Sequence, residues 1–220
     1  MFSTDLFLHF SEHPADQNYQ FWAPLIAFFT GARQSQIASL YCEDITINSE
    51  TYVIDFNENA PDKVMKNDES ARLVPIHPIL LKIGILDFAK KVESYNLRSR
   101  FGKRNRLFPE LKNYSKGSYA KDLEAWFNRD YLIQLKLREA GDNKTFHAFR
   151  STLASLLLEQ GIDEFIRNSI LGWAKNEDNS NEVTRKHYLK SQLNSRYKAL
   201  TSIELPPIFD RIPTFPSDKD

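Results

Sequence analysis

The chain has 220 residues, enough for one large domain or two small ones with a real core, and its 41% hydrophobic and 26% charged residues are ordinary for a globular protein. No apolar run approaches the roughly 18 residues that a membrane span needs, the N-terminus lacks the basic start and small-residue cleavage site of a signal peptide, and the single cysteine, Cys42, excludes an internal disulfide. The formal net charge is +0, but it is unevenly spread: residues 1–80 carry 4 Lys and Arg against 11 Asp and Glu, residues 81–150 carry 16 against 8, and residues 151–220 carry 9 against 10.

In chain order, residues 17–30 (QNYQFWAPLIAFFT) predict a buried helix ended by Gly31. Residues 33–42 predict a second short helix, with Ile37, Leu40 and Tyr41 on one face. Ile45, Ile47, Tyr52, Ile54 and Phe56 then alternate with polar residues around Asn48-Ser49-Glu50, as in a hairpin. The stretch 57–71 is polar and loop-like. Residues 72–76 (RLVPI) predict a third strand, where Pro75 favours an edge position or the strand's end. From Pro78 onward the pattern is helical, with helices expected at about 78–94, 117–138, 146–160, 162–171, 182–190 and 191–203. Between the first two lies NLRSRFGKRNRLFPELKNYSKG, basic and aromatic. The C-terminal tail, PPIFDRIPTFPSDKD, is proline-rich and expected to be extended or disordered. The fold class is therefore α+β: mainly helical, with a small antiparallel sheet near the start. Residues 1–16 are expected to be an N-terminal remnant or linker, 17–205 the functional domain and 206–220 a flexible tail.

The basic middle third suggests a surface that faces a polyanion, with a solvated basic face as the plain alternative. Two segments give that surface a centre. Arg33 follows a helix-ending glycine in Thr30-Gly31-Ala32-Arg33. His147 and Arg150, in His147-Ala148-Phe149-Arg150, stand three apart at a helix start, so they share a face beside unpartnered backbone N–H groups. Arginine makes planar paired hydrogen bonds to phosphate oxygens and its charge is permanent. Arg33, His147 and Arg150 meeting at one point would form a phosphate clamp.

Five segments carry a resemblance to a known family. TGARQSQIASL resembles the first arginine box of the tyrosine recombinases (phage integrases). KNDESARLVPIHP resembles the hairpin segment bearing their catalytic lysine, six residues before an Arg of R-x-V-P type, which places the lysine at Lys66 and that arginine at Arg72. FHAFRSTLASLLLEQG resembles the H-x-x-R box. ILGW resembles the L-G-H/W box, with Trp173 where most members have His. RKHYLK resembles the nucleophile segment, with the tyrosine at Tyr188. The boxes stand in family order across about residues 20–200.

The resemblance implies a tyrosine recombinase catalytic-domain fold and site-specific cutting and rejoining of DNA through a 3′-phosphotyrosyl bond. Arg33 and Arg150 would stabilise the transition-state charge, Tyr188 would attack phosphorus and Lys66 would protonate the leaving 5′ oxygen. His147 would donate a hydrogen bond or help move the tyrosine proton, and Trp173 would donate its indole N–H to a phosphate oxygen or pack the site. No metal or other cofactor is expected. The partner is double-stranded DNA, with a homo-tetramer on DNA and a monomer when free. Neither a membrane nor a small-molecule substrate is expected, and the default compartment is the cytoplasm. The chain departs from the family at Gln36, where an acidic residue is usual, and at Ser151, where His is usual. Relatives carry a separate DNA-binding domain ahead of the first box, so the chain reads as a catalytic domain cut free or a natural short form. Lys63 competes with Lys66, and Tyr197 with Tyr188. A catalytically impaired DNA-binding or partner module of the same fold and a type IB topoisomerase-like activity are the alternatives. The basic residues Arg98, Arg100, Lys103, Arg104 and Arg106 are candidate DNA-backbone contacts, or a solvated loop.

Overall fold

The computed structural model describes residues 1–9, 17–63, 71–98, 105–114, 119–139, 142, 144–173 and 182–215, without the side chains of 96–98 and 182–191. Its central element is α2 (Asn18–Thr30), in which every residue from Phe21 to Thr30 is buried. A helix apolar all round has no solvent face to offer, so other elements enclose it. α1 (Asp5–Leu8) covers one side, with Phe7 fully buried and Phe2 edge-on to it at 4.8 Å. Thr4 is hydrogen-bonded to the Tyr131 hydroxyl at 2.6 Å. Leu6 and Phe7 thus belong to the core, although a remnant or linker was expected over 1–16; residues 10–16 lie outside the described residues.

Gly31 ends α2 with φ 60°. The following helix, α3 (Gln34–Ala38), is shorter than the predicted 33–42. A long-range pairing stops it: Cys42 N–H donates to Asn105 O at 2.8 Å and Leu107 N–H to Leu40 O at 2.9 Å. Those partners lie over sixty residues away, where local periodicity carries no information about them. Cys42 is buried, as expected of a small core residue.

Strands β1 (Ile45–Asn48), β2 (Thr51–Phe56) and β3 (Arg72–Pro75) form an antiparallel sheet in the order β1-β2-β3. Asn48 pairs with Thr51 across a two-residue turn. Ser49 and Glu50 there have φ 47° and 67°, the left-handed pair whose twist suits a hairpin. Phe56 faces Arg72 and Ile54 faces Val74. Pro75 closes the edge strand, as its missing N–H requires.

The predicted helix 78–94 is two helices, α4 (Pro78–Ile83) and α5 (Ile85–Arg98). Gly84, at φ 101°, breaks them, and a Cβ there would lie 3.2 Å from Phe215 Cβ. α6 (Ala120–Ala125) runs through a π-helical turn, Trp126–Tyr131, into α7 (Leu132–Gln134). Then follow α8 (Ala148–Glu159) and α9 (Glu164–Leu171). α10 (Glu182–Thr201) is one helix where two were predicted; no Gly or Pro interrupts it.

Within the tail 206–220, expected to be extended or disordered, the described residues up to 215 pack against the core, and 216–220 lie outside the description. After the 3-10 turn Pro207–Arg211, Phe209, Ile212 and Phe215 are all buried. Phe209 meets Phe28 at 5.0 Å, and Phe215 meets Phe88 at 5.5 Å. Phe215 N–H also donates to Ile83 O at 2.6 Å. Prolines fix extended backbone here, but the intervening Phe and Ile supply the apolar area that proline-rich composition concealed.

Candidate active site

The site is organised around Arg150, in the first turn of α8. Only 2% of it is exposed. Its Nη1 donates to Gly31 O at 2.7 Å, so the carbonyl at the end of α2 orients the guanidinium. Nη2 has no hydrogen-bond partner among the described residues. The Trp173 ring lies 5.0 Å from the guanidinium carbon, a cation–π contact. Burial, reinforced by the charge of Arg33, lowers the Arg150 pKa to about 10, which leaves it cationic at neutral pH. A buried cation with an N–H still open is a strong donor to an anion, because that N–H has given up its hydration.

Gly31 makes this approach possible. Its left-handed φ suits glycine, and a Cβ there would sit 2.5 Å from Leu171 Cδ2 and 3.2 Å from Leu153 Cδ2. The same residue lets α2 end against α8 and α9.

Arg33 occupies the N-cap of α3 in extended conformation, and its N–H donates to Gln36 Oε1 at 3.0 Å. Its charge acts on Arg150 and on His147. His147 directly precedes α8 and is exposed. Its pKa is lowered, first by burial and then by the charges of Arg150 and Arg33, so it is neutral at pH 7 and able to donate from one ring nitrogen and accept at the other. Beside it opens a cleft of about 590 Å³, lined in part by Lys144, Thr145, Ser151, Thr152 and Ser155. Trp173, 46% exposed, remains open to an incoming partner. Arg150 and Trp173 are therefore in direct contact, and Arg33 and His147 lie within electrostatic reach of Arg150.

Arg72 joins them, although the sequence marked it only as a signpost. It is buried, donates from Nε to Ile170 O at 2.6 Å and from Nη1 to Gln36 Oε1 at 3.4 Å, and stacks over Phe56 at 4.7 Å. Its pKa is driven well down by burial, then by the charges of Arg150, Arg33 and Arg196. A Cβ on Gly172 would lie 2.9 Å from its Nη1, so this glycine makes room for the cation. An arginine opening the apolar strand RLVPI was the available signal. Arg196, in α10, was missed altogether. It donates from Nε to Ser169 Oγ at 3.0 Å, from Nη1 to Leu73 O at 2.6 Å and from Nη2 to Gln192 Oε1 at 3.1 Å. It ties the helix that contains Tyr188 to α9 and β3.

Lys66 lies outside the described residues, as do Arg100, Lys103 and Arg104. Tyr188 falls within α10, with its side chain outside that description; Tyr197, nine residues on in the same helix, is 38% exposed. Lys63, the alternative to Lys66, is buried. Its Nζ donates to Asp44 Oδ1 at 2.7 Å, Asp44 Oδ2 at 2.6 Å and Asn57 Oδ1 at 2.9 Å.

Arg106, expected to face DNA or solvent, instead stacks on Tyr119 at 3.2 Å, donates to Ala38 O and pairs with Asp62 at 3.5 Å. Asp62 also accepts from the hydroxyls of Tyr41 and Tyr119 at 2.7 Å each. Burial alone would raise the Asp62 pKa, but the two phenols and Arg106 lower it below the usual carboxylate range. Ion pair, ring stack and carbonyl contact hold the guanidinium within the fold, and so that arginine is structural.

Among the described residues, no group of three His, Cys, Asp or Glu could hold a metal ion, and no helix is long and apolar enough to cross a membrane. The family model described as the phage integrase family matches residues 4–194. The search of curated proteins returned no match.

Proposed function

The chain belongs to the phage integrase family, whose activity is site-specific DNA recombination, and from that premise we propose that it cuts and rejoins DNA through a covalent bond to Tyr188. One observation supports this reading above the others: Arg150 presents an open cationic N–H beside Trp173, within the field of Arg33 and next to His147. Such a cluster suits a phosphodiester, whose negative charge repels a nucleophile and grows as the pentacoordinate transition state forms.

In the proposed reaction the Tyr188 hydroxyl oxygen attacks phosphorus and gives up its proton, which neutral His147 accepts. The P–O bond to the 5′ oxygen breaks, and Lys66 supplies the proton that this oxygen takes. Arg33 and Arg150 hold the two non-bridging oxygens, and Trp173 donates its indole N–H to one of them. The 3′-phosphotyrosyl bond conserves the energy of the broken ester, so the reverse attack by a 5′ hydroxyl reseals a strand. Lys66 is preferred to Lys63 because Lys63 is held in a buried ion pair with Asp44. The assembly proposed on DNA is a tetramer, and the protein is proposed to act in the cytoplasm.

A nicked suicide duplex tests the reading, since loss of the short 5′ fragment traps the covalent species. Wild type should give a protein–DNA adduct, and Tyr188→Phe should bind the duplex equally and give none. An adduct that survives Tyr188→Phe but not Tyr197→Phe would move the nucleophile to Tyr197. Equal binding with no adduct from wild type would make the protein a binding module, and relaxation of supercoiled plasmid without recombinants would make it a topoisomerase.

A further inference from the structure

We propose that Asn128 is a positioning residue for His147: from the π-helical turn it holds the entry to α8, and so leaves the imidazole free to take the tyrosine proton. The inference rests on His147 as the acceptor of that proton, and it names the residue that keeps the imidazole in place. A helix start leaves backbone N–H groups without intrahelical partners, and a side chain at the N-cap commonly accepts from one of them. His147 stands at the N-cap of α8 and makes no such hydrogen bond. Instead, Asn128 Oδ1 accepts from the backbone N–H of Phe146 at 3.0 Å, across 18 residues of sequence. The junction is thus fixed from outside the helix, one residue before the histidine.

Asn128 is buried, and its own carbonyl accepts from Arg138 Nη1 at 2.9 Å. It lies in the turn Trp126–Tyr131, whose wider π geometry is rare and recurs at functional sites. The neighbouring rings secure the same junction: Phe127 meets Phe146 edge-on at 5.0 Å, and Phe146 meets Phe149 at 5.2 Å. The chain then turns into α8, with Ala148 N–H donating to Thr145 O at 2.9 Å and Arg150 N–H to His147 O at 3.1 Å. Phe146 is buried, while His147 is exposed beside the cleft that Thr145, Ser151 and Thr152 help to line. A hydrogen bond to the adjacent residue therefore sets where the imidazole stands without occupying either ring nitrogen. Asn128 touches no reacting atom and acts only through His147.

Single-turnover cleavage of the nicked duplex by the full chain, read beside DNA affinity, tests this. His147→Ala should slow adduct formation about a hundredfold. Asn128→Leu, close in size but without an acceptor, should slow it about tenfold at saturating DNA, with DNA affinity within about twofold of wild type. Asn128→Asp keeps the acceptor and should restore the rate to within about threefold of wild type. Asn128→Leu added to His147→Ala should slow it no further, because both act through one imidazole. If Asn128→Leu does not fold, Asn128→Ser, too short to reach the Phe146 N–H, makes the same comparison. Independent slowing by the two substitutions overturns the inference. So does Asn128→Asp as slow as Asn128→Leu, or Asn128→Leu losing DNA affinity in proportion to rate. A wild-type rate in Asn128→Leu alongside a slow His147→Ala overturns it as well. A wild-type rate in His147→Ala, or no adduct from wild type, overturns the proposed reaction and the inference with it.

Discussion

Lys63 and Asp44 are both buried, and the lysine has given up its hydration for three oxygen contacts. Removing one member of such a pair leaves the other charge stranded. Lys63→Met should therefore lower the unfolding free energy by about 3–5 kcal/mol in urea titrations, and adding Asp44→Leu should restore much of it. Below its melting point Lys63→Met should still form the covalent adduct, whereas Lys66→Ala should not. His77 gives a pH signature. It caps α4 by accepting from Ile79 N–H, stacks on Phe29 at 4.5 Å, and burial lowers its pKa from 6.5 to about 4. Between those values the unfolded chain binds the extra proton and the folded one does not. The contribution of His77 is thus complete above pH 6.5 and lost as pH falls through 4, a change of up to about 3 kcal/mol. His77→Asn keeps a capping acceptor without titrating, so its urea midpoint should fall less than that of wild type between pH 7 and pH 4.5. At this scale the sequence showed Arg33, His147 and Arg150 by their spacing to glycine and helix start. It hid the burial of Lys63 and Arg106, because the partners Asp44, Asp62 and Tyr119 are distant in sequence.

Among the elements, the junction of α2, α8 and α9 holds Arg150, the centre of the proposed clamp. Gly31→Ala would force a left-handed residue with a side chain into Leu171. Its cost should exceed the few tenths to 1 kcal/mol ordinarily gained by Gly→Ala at a compatible site, and cleavage should fall with it because Gly31 O orients Arg150. Arg196 controls a different element. Replacing it with Met removes the donors to Ser169 and Leu73 and should loosen α10 from α9 and β3. Hydrogen exchange in α10 should accelerate, and adduct formation should slow while DNA affinity changes little. Unaltered exchange in that variant would mean that α10 is held by other contacts. The hairpin, the edge strand and the start of α8 were legible because their signals are local: alternation, a proline, an apolar period. The end of α3 at Ala38 and the break at Gly84 depend on Asn105 and Phe215, so local periodicity gave longer helices.

For the whole molecule, both termini close the core around α2. Phe209 packs on Phe28 and Phe29, and Phe2 joins them. Phe209→Ala should cost about 3–5 kcal/mol, read as a lowered urea midpoint; a change below about 0.5 kcal/mol would place the tail among freely mobile surface segments. Composition described these ends as linker and tail, since proline and polar content outweighed a few buried rings. The zero net charge hid the clustering of arginines in a similar way, because acidic residues in the first third offset the basic middle third. The central proposal is a single arrangement, in which guanidinium groups from α8 and from the start of α3 face one anion. The most direct measurement is a crystal structure of Tyr188→Phe bound to a duplex that wild type cleaves. Both Arg33 and Arg150 should donate to non-bridging oxygens of the same scissile phosphate, with Trp173 against it. Contacts to two different phosphates, or to none, would contradict the account.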